Sequence, residues 1–165
     1  MHRRSLLVSF PVVVAVLLAI GVTPARADLS KKVITAFKGK ILVTTGALEM
    51  GANDKDTIAA FKKKGLTQIE GAENGNDVQE WTFVYTGFLK SAGVTSLKLE
   101  FYAGDQYAAD QTLVEVDPKL TVVQGDITIN EDDGLNKGKT YTLKLVGKVK
   151  GKEVVLATLP KLLMK

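Results

Sequence analysis

The sequence predicts an all-β protein made of two packed antiparallel sheets, with one short inserted helix. Three observations carry that expectation. From Trp81 onward, apolar residues recur every second position rather than at the helical spacing of about 3.6. The apolar runs are short and are separated by Gly, Asn and Asp-Pro turn signals. Helical patterns do not alternate with strands, which argues against a parallel α/β sheet.

Lys40 to Thr45 reads as a short strand, with Val33-Ile34 ahead of it and a loop from Gly46 to Asn53 behind it. Asp54 to Gly65 predicts the helix. Asp54 or Asp56 can accept from its first amides and suits the positive end of its dipole, and Lys62, Lys63 and Lys64 suit the negative end. Gly65 is a natural stop. Ile58, Phe61 and Leu66 form a narrow apolar stripe. Gly71 to Asp77 is a turn.

The strands follow. Trp81, Phe83, Tyr85 and Leu89 alternate with Thr82, Val84 and Thr86, and Leu97, Leu99, Phe101 and Ala103 alternate with Lys98, Glu100 and Tyr102. This places Tyr102 on a polar strand face and leaves Tyr107 in a loop. Leu113 to Val116, Leu120 to Val123 and Ile127 to Ile129 read as three short strands. Tyr141, Leu143, Leu145 and Val149 alternate with Thr142, Lys144, Lys148 and Lys150. Gly151-Lys152 then predicts a two-residue turn with glycine first, setting Lys150 opposite Glu153. Val154 to Leu159 returns, and Pro160 marks a strand end or edge. The expected core takes Ile41 and Val43, Phe83 and Tyr85, Leu97, Leu99 and Phe101, Ile127 and Ile129, and Tyr141, Leu143 and Leu145. Trp81 is assigned to the core as well.

Residues 127 to 159 carry a resemblance. Ile127-Thr128-Ile129 is followed by Asp133-Gly134-Leu135, then by Lys137-Gly138-Lys139-Thr140-Tyr141-Thr142-Leu143 and a lysine-rich hairpin. This stretch resembles immunoglobulin-like and fibronectin-type-III-like domains, in which a loop leucine precedes a tyrosine whose hydroxyl ties down the crossover between sheets. Leu135 and Tyr141 look like that pair. The resemblance implies an antiparallel immunoglobulin-like β-sandwich of about seven or eight strands. It implies no activity, because function lives in sites placed on folds.

The first 27 residues have the layout of a secretory signal peptide. Arg3 and Arg4 give a positive start, Leu6 to Val22 an apolar run, and Ala25-Arg26-Ala27 a small-x-small cleavage site before Asp28. The expected product is a single domain over residues 28–165, exported to a bacterial periplasm or exterior, with no membrane span after cleavage. The chain has no cysteine, which excludes disulfides and an acylated anchor.

Processing at that point removes His2 and the arginines Arg3, Arg4 and Arg26, which are the whole stock of both residue types. The formal net charge of +4 shrinks accordingly, and with arginine gone the high pI does not point to nucleic acid. Triads based on histidine or cysteine cannot be built. Nitrogen and sulfur ligands for zinc and other transition metals are missing. What remains is carboxylate, lysine and oxygen-donor chemistry.

Three acidic clusters offer oxygen donors. Asn53 to Asp56 is accounted for by the helix start. Glu73 to Asp77 and Asn130 to Gly134 are calcium candidates, since calcium takes six to eight oxygens. Glu131, Asp132 and Asp133 are the named candidate metal ligands. A carbohydrate site would draw on Trp81, Tyr102 and Tyr107. Lys144, Lys148 and Lys150 form a row able to meet an anionic partner or simply to guard the sheet. The expected function is a non-catalytic interaction or structural module with a protein partner in the cell envelope or exterior, no catalytic residues and no nucleic-acid ligand. The alternatives are a calcium- or carbohydrate-binding domain and a carboxylate-dependent hydrolase.

Overall fold

The computed structural model describes residues 23–24, 29–113 and 117–165. Apart from Thr23–Pro24, the expected leader lies outside the described residues, as does 114–116. Two short helices and two mostly antiparallel sheets make up the fold. The first sheet contains β1 (Thr23–Pro24), β2 (Ile41–Thr44), β4 (Ala72–Glu73), β5 (Gln79–Phe88) and β8 (Val122–Asn130), in the order β1-β8-β5-β2 with β4 also on β5. The second contains β3 (Gln68–Ile69), β6 (Val94–Ala103), β7 (Gln106–Leu113), β9 (Thr140–Val149) and β10 (Lys152–Met164), in the order β3-β10-β9-β6-β7. The β3–β10 pairing is parallel.

The two-residue periodicity is the reason the sheets stack. Every second side chain of β5, β8, β6 and β9 is apolar and faces the same way, so both inner faces contribute to one buried cluster. All twelve of the expected core residues belong to it. Phe83, opposite Ile127 within its own sheet, meets Phe101 of the other sheet edge to face at 6.5 Å. Trp81 is fully buried, and its indole N–H donates to the Lys165 carbonyl at 2.9 Å. Gly87 keeps the layers close: a Cβ there would sit 2.1 Å from Leu145 Cδ1.

A second helix accompanies the expected one. α1 (Lys31–Phe37) precedes β2, where the sequence suggested only Val33-Ile34 leading into a strand. Ser30 caps it by accepting from the Val33 amide. α2 (Asp54–Lys64) matches expectation except at its cap, where Asn53, not Asp54 or Asp56, accepts from the Asp56 amide. Both helices lie on the outer face of the first sheet, with Ser30 Oγ donating to the Asp54 carboxylate at 2.7 Å. Phe37, Phe61 and Phe88 bring their rings within 5.1–6.4 Å of one another, with Val33, Leu48 and Val122 around them. Burying a side chain of this size contributes roughly 1.5–3 kcal/mol, and this satellite cluster is what holds the helices on the sheet.

Three local expectations are corrected, and Pro160 lies on an edge strand as expected. Tyr107 lies on β7 rather than in a loop. The strands expected over Leu120 to Val123 and Ile127 to Ile129 are one, because Gly125 sits directly opposite Tyr85 in an unbroken ladder. The final hairpin turns at Lys150-Gly151, with Val149 paired to Lys152 and Lys148 to Glu153. Both turn residues have positive φ, 52° and 77°, which is the type I′ geometry matched to strand twist. Pro160 lies inside β10, at a register shift between Leu159 and Leu162, where a bulge tolerates the missing N–H.

The crossover from β8 to β9 links the two sheets. Glu131–Asp133 forms a single 3-10 turn capped at its start by a reciprocal pair, Asn130 Oδ1 accepting from the Asp133 amide and the Asp133 carboxylate from the Asn130 amide. Gly134 follows at φ 105°. Leu135 is buried, and the Tyr141 hydroxyl accepts from the Asn136 amide at 2.9 Å.

Candidate interaction surface

The outer face of the second sheet is assembled by register. Strands β7, β6, β9 and β10 place Asp110, Glu100, Lys144 and Thr158 in one row across the sheet. The adjoining row runs Thr112, Lys98, Val146 and Val155, and on the other side Tyr107, Tyr102 and Thr142 stand together. Because alternate residues of each strand face the core, every polar partner of the alternating pattern is delivered to this one surface.

Glu100 is the centre of the surface. It is only 6% exposed although it faces away from the core. The Tyr102 hydroxyl donates to one carboxylate oxygen at 2.8 Å, and Lys98 Nζ lies 3.7 Å from the other. Lys144 stands opposite Glu100 and puts its ammonium 3.7 Å above the Tyr102 ring. These positive and donor groups offset the second carboxylate, Asp110, which faces Glu100 from β7. Asp110 in turn accepts from the Tyr107 hydroxyl.

Both tyrosines have raised pKa values because a carboxylate holds the phenolic proton. For Tyr102 the hydrogen bond to Glu100 is the first cause and burial the second. For Tyr107 the hydrogen bond to Asp110 pushes the value up to about 12. The rings pack edge to face at 5.9 Å, and Tyr107 remains 54% exposed. The surface is therefore a hydrogen-bonded, charge-balanced lattice with one open aromatic ring. Beside it, Ser96, Lys98, Thr112, Lys148 and Glu153 border a shallow groove of about 230 Å³.

The predicted site residues are distributed as follows. Glu131, Asp132 and Asp133 sit together on the exposed 3-10 turn, but Asp133 is committed to the cap. Among the described residues no group of three or more acids is arranged to hold a metal ion. In the Glu73 to Asp77 turn, Asn74 Oδ1 accepts from the Asn76 and Val78 amides. Trp81 is withdrawn into the core, away from Tyr102 and Tyr107. The expected lysine row is incomplete: Lys144 and Lys148 share the outer face, while Lys150 turns away in the hairpin. Sequence reasoning missed the grouping of Glu100, Asp110 and Tyr107. The alternation around Ala108-Ala109 is too weak to announce β7, and only β7 brings Asp110 and Tyr107 to this face.

Two further hollows are formed by described residues. One lies between the end of β2 and α2, crossed by a Lys64–Glu49 ion pair at 3.0 Å, and the other beside Val154 and Val155. No family model, curated protein or solved structure matches the chain.

Proposed function

We propose that the chain is an exported, non-catalytic interaction module with an immunoglobulin-like or fibronectin-type-III-like sandwich, and that it meets a protein partner through the outer face of the second sheet. Labelling β2, β5, β6, β7, β8, β9 and β10 as strands A, B, C, C′, E, F and G gives sheets E-B-A and G-F-C-C′, an order that supports this reading. The Tyr141 hydroxyl on the Asn136 amide, over a buried Leu135, supports the same reading.

The single observation that carries the functional part is the lattice around Glu100. A carboxylate has been drawn into a nearly closed position on a solvent-facing sheet and fixed by Tyr102 and Lys98. That arrangement rigidifies a flat face and leaves Tyr107 as an aromatic anchor, the residue type that dominates contact energies at interfaces.

The test is affinity capture from the native envelope or culture fluid. Wild-type bait should recover a defined protein that bait carrying Tyr107→Ser and Lys148→Glu does not, while both baits keep the same circular dichroism. Recovery of the same protein by both baits would remove this face from the reading, and soluble glycan eluting the wild-type bait would favour the carbohydrate alternative.

A further inference from the structure

We propose that the free edge of β8 is a strand-pairing surface for a second copy of this chain, opened when the amino-terminal segment is removed. The direction of its backbone groups follows from one bond. The Leu89 amide donates to the Thr121 carbonyl at 2.8 Å, which extends the β5–β8 ladder by one pair. Direction alternates along an antiparallel strand. Val123, Gly125, Ile127 and Ile129 therefore address β5, whereas Val122, Gln124, Asp126 and Thr128 address the opposite side. The Asn130 amide fits the same alternation, since it is held by the Asp133 carboxylate at 3.0 Å rather than by β5.

Among the described residues, the only strand on that opposite side is β1. Thr23 lies opposite Gln124, and Pro24 lies opposite Val123, whose own amide faces β5, so the proline's missing N–H breaks no ladder bond. Among the described residues, Asp126 and Thr128 are left with backbone donors and acceptors directed outward and no strand beyond them.

The other sheet edges are guarded. β2 is only four residues long. β10 carries Pro160, two register shifts and the flanking β3. Over β7, Gly134 approaches the Ala108 carbonyl so closely that a Cβ would sit 2.6 Å from it. β8 has nine residues, no lysine, no proline and an unshifted ladder to β5. A long edge without such devices is a template for another strand.

A second copy fits the edge for two reasons. The strand it already accepts is antiparallel, and a two-fold axis presents β8 to itself antiparallel. Charge disfavours one register and pairing favours another. Centring on Asp126 would oppose two carboxylates. Centring on Ile127 sets Asp126 opposite the partner's Thr128, so the two outward-facing unpaired residues satisfy each other, and it lays Gln124 beside the partner's Asn130, whose amide stays with Asp133. This register needs Gln124, which Thr23 occupies in the unprocessed chain. The proposal thus rests on the export reading above, but on a different sheet from the proposed partner face.

The experiment expresses the full chain in an exporting bacterium, takes the intact mass of the exported product, and follows its sedimentation over a concentration series. The expected product begins at Asp28 and shows a reversible dimer. Thr128 is exposed and its amide faces outward, so Thr128→Pro should abolish the dimer with unchanged circular dichroism. Should that variant fold poorly, Thr128→Glu, which sets like charges across the axis twice, should weaken dimerisation several-fold, and Thr128→Lys should not. A processed product that stays monomeric, a dimer indifferent to Thr128→Pro, equal effects of Glu and Lys, or a dimer that still carries residues 1–27 would each overturn the proposal. Loss of partner capture with the dimer intact would instead sink only the proposed partner face.

Discussion

The Tyr141 hydroxyl accepts a hydrogen bond from the amide of Asn136, five residues earlier, at 2.9 Å. That bond closes the loop by which the chain leaves one sheet and enters the other. Tyr141 is buried, so its ring packs the core while its oxygen satisfies a backbone donor that the turn leaves without a carbonyl. Tyr141→Phe keeps the ring and orphans the amide. We expect a loss of about 1–3 kcal/mol in urea unfolding, with near-native circular dichroism.

Gly87 and Leu145 face each other across the two layers. A methyl at position 87 would lie 2.1 Å from Leu145 Cδ1 and 3.2 Å from Val123 Cγ2. Gly87→Ala should therefore destabilise by about 1–3 kcal/mol through overpacking. Leu145→Ala in the same chain relieves the overlap, so the double variant should lose less than the sum of the two single losses when their urea midpoints are compared.

Tyr107 gives the fold an alkaline limit. Its pKa rises from the usual value near 10 to about 12 in the fold, because Asp110 holds the proton. The protonated form is the one the fold favours. Its stabilisation is complete below the unfolded value and is lost as pH climbs through the folded one. Stability should fall between about pH 10 and 12, and Tyr107→Phe should reduce that slope in urea melts. Burial of the Tyr85 hydroxyl and the Glu100 hydrogen bond on Tyr102 act in the same direction, so the variant should keep part of the loss.

The β9–β10 turn places Lys150 at φ 52°, a region that lysine enters with strain and asparagine enters readily. Lys150→Asn creates an Asn-Gly pair suited to this type I′ turn. The thermal midpoint should rise, with a gain of up to about 1 kcal/mol.

How much was legible depended on whether a residue's role was local. Phe83, Leu99 and Leu143 announced their burial by alternation alone, since a sheet packed on one face sends every second side chain inward. Phe88 breaks that parity. It is buried on the opposite face, where α1 and α2 cover the sheet, and no strand pattern announces a helix packed above it. α1 itself was readable in part, because Ser30 caps it and Val33 and Phe37 stand four apart on one side, but seven residues give a weak periodic signal. The hairpin was expected one residue late because Gly151 suits the first position of one turn type and the second of another.

From its sequence alone the protein was committed to paired strands and to a core drawn from alternating apolar positions. Those properties follow from residue types and their spacing, which a one-dimensional reading preserves. The tertiary structure decided which strands became neighbours, and with that the meeting of Glu100 with Asp110 and Lys144. Pairing partners are set by how two sheets close over a shared core. Such contacts join residues far apart in the chain, and their energies appear only when both sides are in place.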